Sequence, residues 1–459
     1  MLFLGHLKFV QILIKIGWIL IESRKVYLIY LSHKKREYKN FLHKRKKHIM
    51  LSINEERLLE RINALGETGK DADGRRVRLA ASDGDKDGRD MIVSWMKDAG
   101  LEVVVDRIGN IFGIWETPEN RDKAPLMVGS HIDSVIDAGK YDGCYGVIAG
   151  IEVIKTLKEQ GYVPERPIVT GAFTNEEGVR YAPDMMGSLV YAGGLSAEEA
   201  LAAVGTDGTI LREELKRIGY EGTVEPGFIK PYAFIELHIE QGPIMDVEGV
   251  QIGAVENLQG ISWQRITIEG AANHAGTTPT ALRIDAGLAA AKVNVFLRER
   301  CLQSNGKTVA TVGCIEFEPN AVNVIPSKAV FTADVRNPDE TKLKEEEQAL
   351  ADYLKELEKT DKVKIHTEQL VRFEPVLFDE GIVTCIEKAA KERGFSCRRM
   401  TSGAGQDAQM IARMCPTAMI FVPSVKGISH NPKEFTPDKD LLAGANVFLD
   451  VVKDFSSAK

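Results

Sequence analysis

The sequence predicts an α/β protein: a mostly parallel sheet interrupted by a smaller α+β unit of ferredoxin-like type. Three observations predict it. From residue 50 onward, short apolar runs alternate with stretches of helical periodicity. Four of those runs end in polar clusters, GSHIDS (129–134), TNEEG (174–178), ELHIEQGP (236–243) and SVKGISHN (424–431). Parallel strands that carry a site along one edge produce that pattern. Between 256 and 373 the order becomes β-α-β-β-α-β, the split arrangement of a ferredoxin-like unit.

The elements follow in order. Residues 51–64 combine an acidic first turn with helical apolar spacing, and 86–99 read as a second helix. Residues 126–130 form a short apolar strand. A helix over 144–160 (CYGVIAGIEVIKTLKEQ) is stopped by Gly161. Strands are expected at 167–173, 232–237 and 417–423. In the inserted stretch, WQRITIEG (263–270) alternates as a strand and a helix covers 283–300. Strands follow at 308–317 and 328–336, then a charged helix at 340–358 and a strand at 362–373. The 459 residues suit two domains. One is discontinuous, 50–255 with 374–459, and 256–373 is inserted into it.

The formal net charge of −7 averages two unlike pieces. Residues 1–49 carry 12 Lys and Arg against two acids, Glu22 and Glu37. The remainder has 47 basic and 64 acidic residues, a net charge of −17, which argues against a nucleic-acid binder. The apolar stretch FVQILIKIGWILI (9–21) is shorter than the ~18–20 residues that span a bilayer, and Lys15 interrupts it. No small-residue cleavage site follows, and the basic block lies on the wrong side for a signal peptide. Residues 1–49 are therefore expected to be an extension outside the functional fold, the natural start falling near Met50; a membrane tether is the competing reading. The six cysteines show no CxxC pair, as expected of reduced thiols in a cytoplasmic protein.

The polar clusters hold the chemistry. His131, Asp142, Glu177, His238 and His430 supply three imidazoles and two carboxylates, a donor set suited to zinc or a similar divalent ion. Singly, a histidine at a strand end is more often a satisfied polar residue. Jointly, four of the five histidines after Met50 fall in glycine-flanked loops at strand or domain ends. Five side chains exceed one tetrahedral site with an open position and suit two ions sharing a bridging carboxylate. Glu176 and Glu177 are adjacent, so on extended backbone they point to opposite sides. One can bind metal while the other acts as general base over an attacking water. Asp133, two residues after His131, is placed to accept the distal N–H of that imidazole. In the inserted stretch, GAANHAGTTPTALRIDA (270–286), NVIP (323–326) and DVRN (334–337) bring His274, Asn323 and Arg336 to loops and strands. Arg presents a fork suited to a carboxylate, and Asn and His can donate to an oxyanion.

In this order, GSHIDS, GKYDG, TNEEG, ELHIEQGP, NHAGTTP, NVIP, SGAGQDAQ and ISHNP resemble the amidase/hydantoinase/carbamoylase branch of the M20 metallopeptidase-like family. That branch contains N-carbamoyl-L-amino acid hydrolases, β-ureidopropionases and allantoate amidohydrolases. The resemblance runs from about Met50 to the C-terminus. It implies a catalytic domain with a binuclear metal site and an inserted lid domain through which the chain forms a homodimer. His131, Asp142 and His238 would hold one divalent ion, Asp142 would bridge, and Glu177 with His430 would complete the second. Zinc is the first expectation, with manganese, cobalt or nickel chemically tolerable. Glu176 matches the general base. Arg336 and Asn323 match the residues that hold the substrate's carboxylate and nearby amide, and Gln241 matches a glutamine near the substrate. His274 matches an oxyanion-stabilising histidine supplied by the partner subunit. His238 stands where many M20 peptidases use a carboxylate. The family usually reads SGAGHDA, whereas this chain has Gln406 at that substrate-binding position, a neutral amide that donates a hydrogen bond but cannot shuttle a proton; the departure is expected to bear on rate or substrate choice and not on the metal site.

The resemblance implies hydrolysis of N-carbamoyl-L-amino acids to amino acid, ammonia and carbon dioxide, a reaction on a small carboxylate substrate. Allantoate amidohydrolase uses the same machinery and is the nearest alternative; an aminoacylase or dipeptidase is opposed by His238. A metal-free binding protein on the same scaffold would show loss of a ligand or the base, and the sequence retains all of them.

Overall fold

The structure, a computed structural model, describes residues 50–457, so the expectation for 1–49 lies outside the described residues. Contacts divide the chain after Ser52, and the residues from Ile53 onward form one compact unit. The chain opens with α1 (Glu55–Gly66) and α2 (Asp83–Asp98). Both start where a side chain caps them: Asn54 accepts from the Arg57 amide, and Ser82 from the Asp85 amide. That cap moves the second helix three residues ahead of its sequence-predicted start.

The large sheet begins with β1 (Glu102–Val105), β2 (Ile111–Trp115) and β3 (Leu126–His131), followed by α3 (Cys144–Glu159) and β4 (Ile168–Phe173). Three short helices, α4 (Met186–Tyr191), α5 (Ala197–Leu201) and α6 (Leu211–Ile218), precede β5 (Ala233–Ile239). Helix α7 (Ile244–Glu248) and β6 (Ile252–Leu258) complete this part. The chain then leaves the sheet and returns at β12 (Val376–Leu377). It continues through α10 (Glu380–Glu392), β13 (Cys397–Ser402), α11 (Asp407–Ile411), β14 (Thr417–Val422) and α12 (Asp438–Ser456).

The strand order is β1-β2-β4-β3-β5-β14-β6-β12, with β13 also on β6. The middle four, β4-β3-β5-β14, are parallel, whereas β1, β2, β6 and β12 join by antiparallel pairing. The sheet is therefore parallel where it is most deeply buried and mixed at its flanks. Every residue of β3, β4, β5 and β14 is buried, as near-continuous apolar runs such as TAMIFV require. Helices α3 and α12 cover them and bury most of their own length. Because the four strands run the same way, their C-terminal ends share one edge.

The excursion builds a second sheet from β7 (Gly260–Glu269), β8 (Val309–Thr311), β9 (Ile315–Glu318), β10 (Lys328–Asn337) and β11 (Lys364–Phe373). Its order is β11-β7-β10-β8, with β9 also on β10, and every pairing is antiparallel. That is the ferredoxin-like arrangement. Helices α8 (Ala286–Gln303) and α9 (Glu340–Thr360) pack on it. Ile266, Ile268, Val293, Phe331, Leu350 and Leu354 form part of its own buried core. The strand expected over 308–317 is two strands, broken at Val312–Cys314. Helix α8 starts at Ala286 rather than 283 because Asp285 caps it, accepting from the Leu288 amide. The six cysteines form no disulfide. Among the described residues, no helix is long and apolar enough to cross a membrane.

Candidate metal centre

The C-terminal ends of the four parallel strands gather the predicted ligands. His131 ends β3, His238 lies within β5, Glu176 and Glu177 follow β4, and His430 lies in the loop after β14. Asp142 precedes α3. His238 was expected just beyond its strand; β5 runs two residues further, to Ile239, and buries it completely.

Asp142 is the hub. Its Oδ1 lies 3.2 Å from His238 Nε2 and 3.6 Å from His131 Nε2. Its Oδ2 lies 3.2 Å from His430 Nε2, which is 3.4 Å from Glu177 Oε2. Two ligand groups result, His131–Asp142–His238 and Asp142–Glu177–His430, each with its donor atoms within 4.8 Å of one another. The first group is buried, whereas the His430 side chain is 51% exposed.

Backbone carbonyls set the imidazole tautomers. His131 Nδ1 is 3.0 Å from the Asp133 carbonyl, and His238 Nδ1 is 2.8 Å from the Ile239 carbonyl. A carbonyl only accepts, so each Nδ1 carries a hydrogen, and Nε2 is the ring nitrogen turned toward Asp142 Oδ1. Asp133 differs from the expectation that its carboxylate accepts the His131 N–H. Its carboxylate is 3.8 Å from His131 Nδ1, and its main-chain oxygen orients the ring. The carboxylate instead accepts the amide of Glu176 at 3.1 Å and that of Glu177 at 3.2 Å. Asn175, at φ 58°, makes the bend that aims both amides at it. Gly143 is required for a related reason. At φ 61° it allows Asp142 to enter the site, and a Cβ there would lie 2.4 Å from His131 Nε2.

The charges are tightly opposed. Burial pushes Asp142 up, but bonds from His131, His238 and His430 outweigh it and hold the carboxyl well below the usual range. The bond to Asp142 raises His430 to about 9 despite burial. Burial, then the negative charge of Asp142, pushes Glu177 up to about 8. Glu176 is also raised well above the carboxylate range, first by burial, with Glu177 adding repulsion. Its Oε2 is 3.5 Å from His131 Nε2, beside the ligand group.

The residues fit divalent ions. Imidazole nitrogens and carboxylate oxygens converge with one shared carboxylate, and the donor types suit the zinc-like class. Glu177 Oε1 is buried with no hydrogen-bond partner, an acceptor that a cation would satisfy.

Other predicted residues lie around this centre. Gln241 Nε2 donates to Asp142 Oδ2 at 2.8 Å, and Gln406 Nε2 donates to Gln241 Oε1 at 2.7 Å. Arg336, on β10, is held by the Asp334 carboxylate and donates through Nη1 to the Gly403 carbonyl at 2.9 Å, on the loop that leads to Gln406. His274 and Asn323 lie side by side on the second sheet's unit, both exposed, joined by the Ala275 amide to the Asn323 carbonyl. Among the described residues, neither is hydrogen-bonded to the metal-centre cluster. His274 Nδ1 accepts the amides of Gly276 and Thr277, so in the neutral ring Nε2 carries the hydrogen as a donor.

Sequence reasoning missed three acids. Glu434 Oε1 accepts the amides of Tyr141 at 3.1 Å and Asp142 at 3.4 Å, pinning the loop that carries the hub. Glu236 accepts from Ser130 Oγ and from the Ala408 amide, tying β5 to β3 and α11. Asp407 is fully buried, and burial with Glu236 nearby raises it to about 8. Glu236 and Asp407 stood inside quoted motifs, and two buried-strand or helix-start acids were the available signal.

Residues 127–454 match the family described as peptidase family M20/M25/M40. The chain is 37% identical over 400 residues to an N-carbamoyl-L-amino-acid amidohydrolase of Rhizobium meliloti, covering 87% of this chain and 96% of that protein. It is 34% identical over 393 residues to an allantoate amidohydrolase of Bacillus subtilis, covering 85% and 95%. A crystal structure of an amidase of the hydantoinase/carbamoylase family from Burkholderia multivorans superposes with a TM-score of 0.86. The identity there is 40%, over 89% of this chain and 99% of that one.

Proposed function

This chain belongs to peptidase family M20/M25/M40, and on that premise we propose that it hydrolyses the carbamoyl amide of N-carbamoyl-L-amino acids. The products are the amino acid, ammonia and carbon dioxide. The chain is a hydrolase of non-peptide amide bonds, in keeping with its amidohydrolase relatives. The observation that carries the reading is the pair of ligand groups sharing Asp142, His131–Asp142–His238 and Asp142–Glu177–His430.

His131, Asp142 and His238 would hold one divalent ion, and Asp142, Glu177 and His430 the other, zinc being the first choice. Bound there, such ions supply Lewis acidity toward the carbonyl and acidify water. Glu176 takes the proton of the attacking water and returns it to the leaving nitrogen. Its raised affinity for protons, from burial and from Glu177, suits that exchange. Arg336 offers its guanidinium to the substrate carboxylate, and Asn323 positions the neighbouring amide. His274 Nε2–H is the oxyanion donor. Because His274 is exposed on its own chain, we place it in the site of a partner copy, which makes the enzyme a homodimer. On this reading residues 256–373 are the lid and dimerisation domain of a cytoplasmic enzyme, and 50–255 with 374–459 the catalytic domain.

The second reading is allantoate hydrolysis, supported by the Bacillus subtilis relative at comparable identity. Ammonia release by the metal-loaded protein from N-carbamoyl-L-methionine and from allantoate separates the two. The proposal expects turnover of the N-carbamoyl amino acid. Turnover of allantoate alone replaces it with the second reading.

A further inference from the structure

Asp142 presents unlike environments to its two oxygens. Oδ1 faces only the buried imidazoles of His131 and His238 among charged partners. Oδ2 faces the half-exposed His430 and also accepts from Gln241 Nε2 at 2.8 Å and Ser429 Oγ at 3.3 Å. An ionised carboxylate only accepts, so Gln241 must turn its NH2 to Asp142. Its carbonyl oxygen then points away and needs a donor. Gln406 Nε2 supplies it at 2.7 Å, from a residue that is 1% exposed. Gln241 itself is fixed at φ 58°, with its amide bonded to Ser424 Oγ at 3.0 Å.

We propose that Gln406 is a positioning residue: it sets the polarity of the Gln241 amide and, through it, orients Asp142 Oδ2 for the Glu177/His430 cation position. This rests on the two-ion reading above. The Glu177/His430 position is then the weaker of the two and the later to fill, because its ligands are more exposed and its Asp142 oxygen, Oδ2, already has other partners. The departure from the usual SGAGHDA also gains a reason. Histidine and glutamine can each offer one N–H donor to Gln241, so the feature retained is the donor and not a proton shuttle. Without a donor at 406, Gln241 is free to reverse its amide and turn oxygen toward oxygen at Asp142. Loss of such an outer hydrogen bond typically lowers metal affinity about 10–100-fold.

The test is stepwise zinc binding to the chelator-stripped full-length protein by calorimetry, comparing wild type with Gln406→Met and Gln406→His. Methionine keeps the shape and removes the donor; histidine restores a donor. The proposal expects two unequal zinc sites in wild type. It expects Gln406→Met to weaken the second about 10-fold or more with the first unchanged, and Gln406→His to recover most of the loss. Uptake of fewer than two zinc ions by wild type overturns the two-ion reading and this inference together. Two ions in wild type, with Gln406→Met leaving the weaker site unchanged or tighter, or weakening both sites equally, overturns this inference alone.

Discussion

Glu177 and His430 hold protons that a cation must displace. Glu177 is raised to about 8 and His430 to about 9, so at pH 7 both are protonated before a metal enters. Metal ligation needs their bare lone pairs, so binding releases protons and tightens as pH rises toward 9. Calorimetry of zinc binding in two buffers of different ionisation enthalpy should show different apparent heats at pH 7; identical heats would contradict the proton count. Glu176 differs from its neighbour. Gln at 176 keeps the shape and removes the base, so kcat should fall about 10²–10⁴-fold at unchanged metal content. Activity within a few-fold of the parent would remove Glu176 from the mechanism. His131, His238 and the Glu pair were legible because polar residues interrupt apolar runs at strand ends. Glu434 was not: it lies 292 residues from Asp142 in sequence, and an acid in HNPKEF looks like any solvated loop.

At the scale of elements, two turns aim the site. The TNEE turn depends on the buried Asp133 carboxylate, which takes one amide on each oxygen. Asn at 133 turns an NH2 against one of those amides, at a cost of about 1–3 kcal/mol, and lets the Glu pair drift. The expected result for Asp133→Asn is a lower melting temperature together with a kcat loss exceeding any loss of metal; a change in stability alone would make Asp133 merely structural. The Asp142–Gly143 turn leaves no room for a Cβ beside His131. Gly143→Ala should therefore lose metal affinity about 10-fold or more, read by equilibrium dialysis, and wild-type affinity would contradict the geometry. Apolar runs placed most of the expected strands within two residues, although β7 begins three residues early, at Gly260. Helix starts were less legible, because Ser82 and Asp285 decide them through single capping bonds that apolar periodicity does not register. The break at Val312–Cys314 was hidden for a similar reason: the run stays strand-like in composition across it.

In the whole molecule, two sheets with separate cores divide the work, and the ligands lie only on the larger one. Metal removal should destabilise that sheet and leave the second largely unchanged. Ligand present at about 1,000 times its Kd stabilises by about 4 kcal/mol, so chelation should lower the melting transition of the large sheet and not that of the other. Equal shifts in a single transition would mean that the two melt as one unit. The ferredoxin-like strand order followed from β-α-β-β-α-β because few topologies satisfy it. The antiparallel flanks of the large sheet did not follow, since the sequence reading assigned no strand at β1, β2 or β6. On the proposed function, one carboxylate, Asp142, is shared by two cation positions. Anomalous scattering from zinc-soaked crystals tests it most directly. Two peaks flanking Asp142 are expected, one beside His131 and His238 and the other beside Glu177 and His430. A single peak, or none in contact with Asp142, would contradict it.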